Sequence, residues 1–204
     1  MSVLNFLRPL SVQLAKPLAV ASLLVGSSFA SADWQLLNDQ SQLSFVSVKK
    51  SAVVEVHRFK ALEGSVSESG KAQVSIDLTS VDTNIGIRDQ RMQEMLFETS
   101  LHPLATVSAN IDGLVLKNLK TGQSSAMDVS FTVSLHGQTQ TITTPVEVIA
   151  LQGGLIRVST LQPIVIKAAD FKLIEGINRL KEIAGLPSIT TAVPVIAQLT
   201  FKAS

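Results

Sequence analysis

An all-β fold with two helical excursions is predicted for this chain, and three observations carry that reading. Segments alternate apolar and polar residues with period two, as Val129, Phe131, Val133 and Leu135 do against Ser130, Thr132 and Ser134, the signature of a half-buried antiparallel strand. Turn residues separate these segments, among them Asn38-Asp39-Gln40-Ser41, Ser67-Glu68-Ser69-Gly70, His136-Gly137-Gln138 and Gln152-Gly153-Gly154. No Gly-rich strand-to-helix crossover marks a parallel α/β sheet. Roughly seven or eight strands on short connections fit an antiparallel barrel or sandwich.

Residues 1–32 read as a secretory signal peptide. Arg8 and Lys16 precede an apolar run from Leu18 to Val25, and Ala30-Ser31-Ala32 offers the small residues a signal peptidase reads. The run is shorter than the roughly 20 residues needed to cross a bilayer, and nothing later in the chain is long and apolar enough to do so. Cleavage after Ala32 leaves residues 33–204 as a single domain with a real core, and export places it in the periplasm. The signal carries two of the 17 Lys and Arg and none of the 16 Asp and Glu, so the mature chain holds 15 basic against 16 acidic residues, a net charge of −1. Scattered basic residues, one Trp and no Tyr argue against a nucleic-acid partner. Cysteine is absent, so stability rests on burial and a complete hydrogen-bond ladder, which favours a closed architecture.

Trp34 to Lys50 reads as a strand pair or one long strand, with Leu43 and Phe45 on one face. In Val53 to Phe59, the expected inward residues are Val54 and Val56, with Glu55 and His57 opposite. Gly64 and the turn at 67–70 end this stretch, and Lys71 to Thr79 follows as strand. Residues 80–103 break the pattern with a charged helix near 84–98. Thr106 to Lys117 reads as strand interrupted at Asp112-Gly113 by a turn or bulge. The hairpin of Val129 to Leu135 and Thr139 to Ala150 comes next, then strands at Leu155 to Thr160 and Ile164 to Ala168. Ile174, Ile177, Leu180 and Ile183 form a helical stripe near 174–184, capped by Ala169-Asp170 and stopped by Gly185 and Pro187. Val193, Val195, Ala197, Leu199 and Phe201 line one face of the last strand.

Catalytic chemistry finds no support. His57, His102 and His136 lack metal-ligand spacing and no HExxH is present, so they read as structural or surface residues. No G-x-S-x-G elbow exists, and Asp82 beside Thr83 and Asn84 reads as a cap. No cofactor is expected, and the chain reads as a binding protein, not an enzyme. Arg88, Asp89 and Arg91 have two readings: an electropositive rim for a polar or anionic head group, or a clasp that satisfies backbone groups at the ends of the excursion. The interior, rich in Val, Ile, Leu and Ala, is either a packed core or a pore holding one ligand.

Ser80-Val81-Asp82-Thr83, Arg88-Asp89, Met92, Leu96-Phe97 and Pro103 together resemble the YceI family of secreted, lipocalin-like proteins, and Trp34, Ser41 to Phe45, Phe59 to Gly64 and Val129 to Gly137 extend the likeness over most of the mature chain. The family often carries a His two residues after its Arg-Asp pair, where Arg91 stands here. The resemblance implies an extended antiparallel eight-stranded lipocalin-like barrel whose pore binds a long isoprenoid, a polyprenyl phosphate or a quinone tail, for transport, storage or protection. The inward residues expected to hold it are Phe45, Val54, Val56, Phe131, Val133, Leu135, Ile156, Val158 and Phe171, with Leu96 and Phe97 closing one end. Transient contact with a membrane surface and a homodimer are compatible with this reading. The competing expectation is a stress-related or chaperone-like envelope protein acting through its outer surface, suggested by outward Val53, Leu155 and Ile196.

Overall fold

Alternating strands close into one antiparallel barrel in the computed structural model, which describes residues 34–204; the signal peptide expected at 1–32 lies outside the described residues. The strands are β1 (Trp34–Leu36), β2 (Gln42–Lys49), β3 (Val53–Phe59), β4 (Leu62–Val66), β5 (Lys71–Asp77), β6 (Val81–Asp82), β7 (Leu104–Asn110), β8 (Ser124–Leu135), β9 (Gln138–Ala150), β10 (Leu155–Thr160), β11 (Ile164–Lys167) and β12 (Ala192–Ala203). Helices α1 (Gly86–Arg91), α2 (Gly113–Asn118) and α3 (Ile174–Ile183) interrupt them. No helix among the described residues is long and apolar enough to cross a membrane.

Backbone pairing forms an eight-membered ring, β12-β1-β4-β5-β7-β8-β9-β10 and back to β12. The remaining segments extend that ring at one end: β2 and β3 continue β1 and β4, β11 continues β10 along β12, and β6 pairs with β3. This is the eight-stranded barrel expected, with sandwich geometry ruled out by the closure.

Three local expectations are corrected. Gly64 lies inside β4 and does not end a strand: a Cβ there would sit 2.8 Å from the Gln73 carbonyl oxygen, so glycine allows β4 and β5 to approach closely. Residues 113–118 are helix and not strand, because the chain leaves the β7 ladder at Asn110 and turns across the barrel end. Leu116 of α2 is buried with Val66, Val148, Ile156 and Phe201, plugging that end with an apolar cluster. The opposite end is covered by α1, a single π-helical turn at Met92–Leu96, and α3. Gly176 fits α3 against that turn, since a Cβ would fall 2.5 Å from the Met95 carbonyl oxygen. Helix α3 starts after Leu173 with no side-chain cap, while Ala169-Asp170 belong to a separate 3-10 turn.

Gly70 tests the closed end. Its φ is +83°, and a Cβ would lie 1.8 Å from the Ile111 carbonyl oxygen. Gly70→Ala should lower stability by about 2 kcal/mol or more, through strain plus displacement of the 111–113 backbone, measured as the urea midpoint.

Candidate functional site, a lined cavity with a polar mouth

Because inward residues of an eight-stranded ring meet across its axis only when they are large, the small and branched residues here leave space. Val74, Val107, Ala109, Val133, Val158, Ala197 and Leu199 are among the lining of a cavity of about 540 Å³. Left empty and dry, that volume would cost about 13 kcal/mol at about 24 cal/mol per Å³, comparable with the whole stability of a typical domain. An apolar occupant offsets the cost.

The cavity runs from Val66 and Phe201 at the plugged end to Lys49, Glu55, Arg88 and Arg91 at the other. Its wall carries Phe45, Phe131, Val133, Leu135 and Val158, and Leu96 and Phe97 of the excursion close over it. An aromatic row crosses from β2 to the excursion, Phe45 to Phe59 at 5.4 Å and Phe59 to Phe97 at 5.8 Å between ring centroids.

Four expected lining residues lie elsewhere. Val54 and Val56 are each 62% exposed on the outer face of β3. Their partners in the β2 ladder are Val48 and Val46, whereas Phe45 pairs with His57 and Leu43 with Phe59, so the inner face of β3 is Glu55, His57 and Phe59. A one-residue change of parity exchanges every side chain between faces. Counting back by twos from Phe59 reaches His57 and Glu55, but only the pairing of Phe59 with Leu43 shows that Phe59 faces inward. Ile156 and Phe171 are buried but stand off the cavity, Ile156 in the plug and Phe171 behind Leu173 in the cluster of β8, β9 and α3.

Charged groups inside the barrel gather at the mouth. Glu55 accepts from Lys49 Nζ at 2.9 Å and from Arg88 Nη1 at 2.9 Å. Burial raises the Glu55 carboxyl, but the hydrogen bonds and charges of Lys49 and Arg88 outweigh it and hold the group below its ordinary range. Arg88 also donates from Nε to Thr83 Oγ1 at 2.8 Å and from Nη2 to the Thr83 carbonyl at 2.7 Å. Asp89 accepts from the Thr83 backbone N–H at 2.9 Å and from its hydroxyl. Thr83 is buried, and its hydroxyl thus joins the Arg and the Asp. Arg91 is half-buried on the cavity wall and has no ion-pair or hydrogen-bond partner among the described residues. The cap read at Asp82 is instead a pair with Arg58 at 3.0 Å and a bond from the Asn84 N–H.

His57 bonds Ser47 Oγ through Nε2 at 2.9 Å, while its buried Nδ1 and the Thr144 hydroxyl are without partners among the described residues. Both residues line the cavity. Burial, then the Arg88 charge, push the His57 imidazole below its ordinary value, which favours its neutral form. His136 serves the lid: Nδ1 donates to the Phe171 carbonyl at 3.2 Å, Nε2 meets Glu98 at 3.1 Å, and the His102 ring packs edge-on at 4.7 Å. Glu98 and His136 both have left-handed backbone, with φ of 48° and 50°. No group of His, Asp and Glu suited to a metal is found among the described residues.

Compared with known families, residues 34–201 match the model of the YceI-like domain. The chain belongs to the YceI-like family. Among solved structures, this YceI-like barrel is similar to a polyisoprenoid binding domain from Saccharophagus degradans implicated in plant cell wall breakdown, at 41% identity and a TM-score of 0.83, covering 85% of this chain and 99% of that one. It shares its fold with BcnA of Burkholderia cenocepacia, at 21% identity and a TM-score of 0.63, covering 81% of this chain and 98% of the other. No curated protein matches this YceI-like chain.

Two outcomes test the mouth. Asp89→Ala should destabilise the protein by about 2 kcal/mol, because buried Thr83 then loses the acceptor of two donors, seen as a lower urea midpoint. The His57 contribution has a defined sign. The unfolded chain takes up a proton near pH 6.5 that the folded site refuses, so stability is intact above that pH and falls as pH drops through the lower folded value. His57→Gln should flatten this slope; the carboxylate loss beginning near pH 4.3 should remain.

Proposed function

We propose that this protein binds one long isoprenoid chain, a polyprenyl phosphate or a quinone, with the tail along the aliphatic wall and the head group at the polar mouth. It shields the tail from the water of the periplasm for transport, storage or protection, and carries out no reaction of its own. The observation that supports this most is the apolar cavity of about 540 Å³ that ends at Lys49, Glu55, Arg88 and Arg91. A methyl-branched chain suits such a wall, since each buried methylene contributes about 0.8 kcal/mol. The 41% identical relative described as a polyisoprenoid binding domain points the same way. Arg91, unpartnered on the wall, suits a phosphate or a carbonyl oxygen, while Arg88 and Asp89 are engaged with Glu55 and Thr83.

Native mass spectrometry of protein purified from its host, with extraction of the bound lipid, is the direct test, and an isoprenoid mass is expected. Ala109→Trp and Val133→Trp, which place indoles in the cavity, should abolish uptake while leaving a folded barrel. A folded double variant that still retains the lipid would sink the proposal, and a host function that persists after lipid uptake is lost would favour action through the outer surface.

A further inference from the structure

An apolar surface surrounds the mouth. Val53, Val54 and Val56 on β3, Ile85 and Ile87 at the start of α1, and Ile183 at the end of α3 are 42–62% exposed. These elements adjoin one another. Arg88 and Glu55 tie α1 to β3, Arg58 and Asp82 tie β6 to β3, and a bridge between Lys49 and Ile189 with a Lys50 N–H bond to the Ser188 carbonyl seats the segment after α3 on the end of β2. Between them Lys49, Arg88, Arg91, Ala184 and Leu186 line the cavity, so the exposed apolar side chains stand around its mouth. Two cations there are unengaged: Lys50 is exposed and Arg91 half-buried, neither with an ion-pair partner among the described residues. Of the nearby carboxylates, Glu55 is held by Lys49 and Arg88, Asp89 by Thr83 and Glu94 by Gln90, leaving Glu182 exposed on α3.

We propose that this rim docks on an anionic phospholipid bilayer, with Val54, Ile85 and Ile87 entering the headgroup layer and Lys50 and Arg91 facing lipid phosphates. The inference rests on the isoprenoid-binding role. An isoprenoid crossing open water loses about fourfold in transfer for every methylene exposed, so exchange needs the mouth against the membrane. Apolar side chains flanked by cations are the combination that partitions to such a surface. A second copy on the same face would gather the Lys50 and Arg91 of both copies in one interface and seal the mouth.

Flotation of the purified protein with phosphatidylcholine vesicles, with and without phosphatidylglycerol, tests the proposal. The native protein should float with the anionic vesicles. Ile85→Ser with Ile87→Ser should weaken partitioning about tenfold or more, and Lys50→Gln with Arg91→Gln should remove the preference for phosphatidylglycerol. Leu161→Ser, at an exposed site between β10 and β11, should change nothing. Titration with farnesol, supplied from solution, separates the isoprenoid role from the docking face: the Ile85 and Ile87 variant should bind it as the native protein does. Native protein that binds no farnesol overturns the isoprenoid role. Native protein that binds farnesol but ignores vesicles, or an Ile85 and Ile87 variant that floats undiminished, overturns the docking face. A dimer by light scattering that the same variant dissolves assigns the face to a second copy and also overturns it.

Discussion

The three residues of β1 pair with β12 on one edge, and two of them, Trp34 and Gln35, with β4 on the other; without that double pairing the ring would be open between β4 and β12. Cysteine is absent, so the ring closes without a disulfide, through backbone pairing and through Trp34 and Leu36 packed on the plug cluster. They are reinforced where β1 leaves the barrel: Leu37 N–H donates to the Thr200 carbonyl at 2.8 Å, Thr200 N–H to Ser41 Oγ at 3.0 Å, and the Thr200 hydroxyl to the Gln40 carbonyl at 2.9 Å. Thr200 is fully buried. A barrel whose centre is a cavity forgoes part of the packing that stabilises a solid core, and an eight-strand ring paired all the way round is the compensation available to it.

Closure also sorts the polar groups. Along most of the wall the inward residues are Val, Leu, Ile, Phe and Ala, and the charged side chains that line the cavity collect where β2, β3 and α1 meet. Glu55 neutralises part of the charge of Lys49 and Arg88, and Thr83 couples Arg88 to Asp89. The excursion is thereby fixed to β3 by a network in which each member satisfies another, while Arg91 remains open to the cavity. Its far side is fastened by His136, Glu98 and the Phe171 carbonyl. The lid is therefore held at two separate points of the rim.

Much of this was legible in order along the chain. The 129–150 hairpin, the turn at 152–154, the excursion and the helix at 174–183 follow from periods of two and 3.6 and from turn chemistry, all properties of near neighbours. Val54 and Val56 were not legible, because apolar residues were expected inside and the wall at the mouth inverts that rule, with Glu55 and His57 inward. The helix at 113–118 was hidden because the apolar run Leu114-Val115-Leu116 reads as a strand resuming after Asp112-Gly113, and only the need to plug the barrel with Leu116 explains it. Arg88 and Asp89 were legible as a pair, but Thr83 as the group between them was not.

By itself the sequence determined the alternation, the turns, the lack of disulfides and the aliphatic composition that leaves a closed barrel short of large side chains. Tertiary structure alone decided which parity of β3 faces inward, that Ile156 and Phe171 stand off the cavity, and that Lys50 and Arg91 at the mouth are left without ion-pair partners among the described residues. Alternation is set by each residue's own backbone geometry, whereas the inward face, the filling of the interior and the pairing of charges depend on strands brought together from distant parts of the chain.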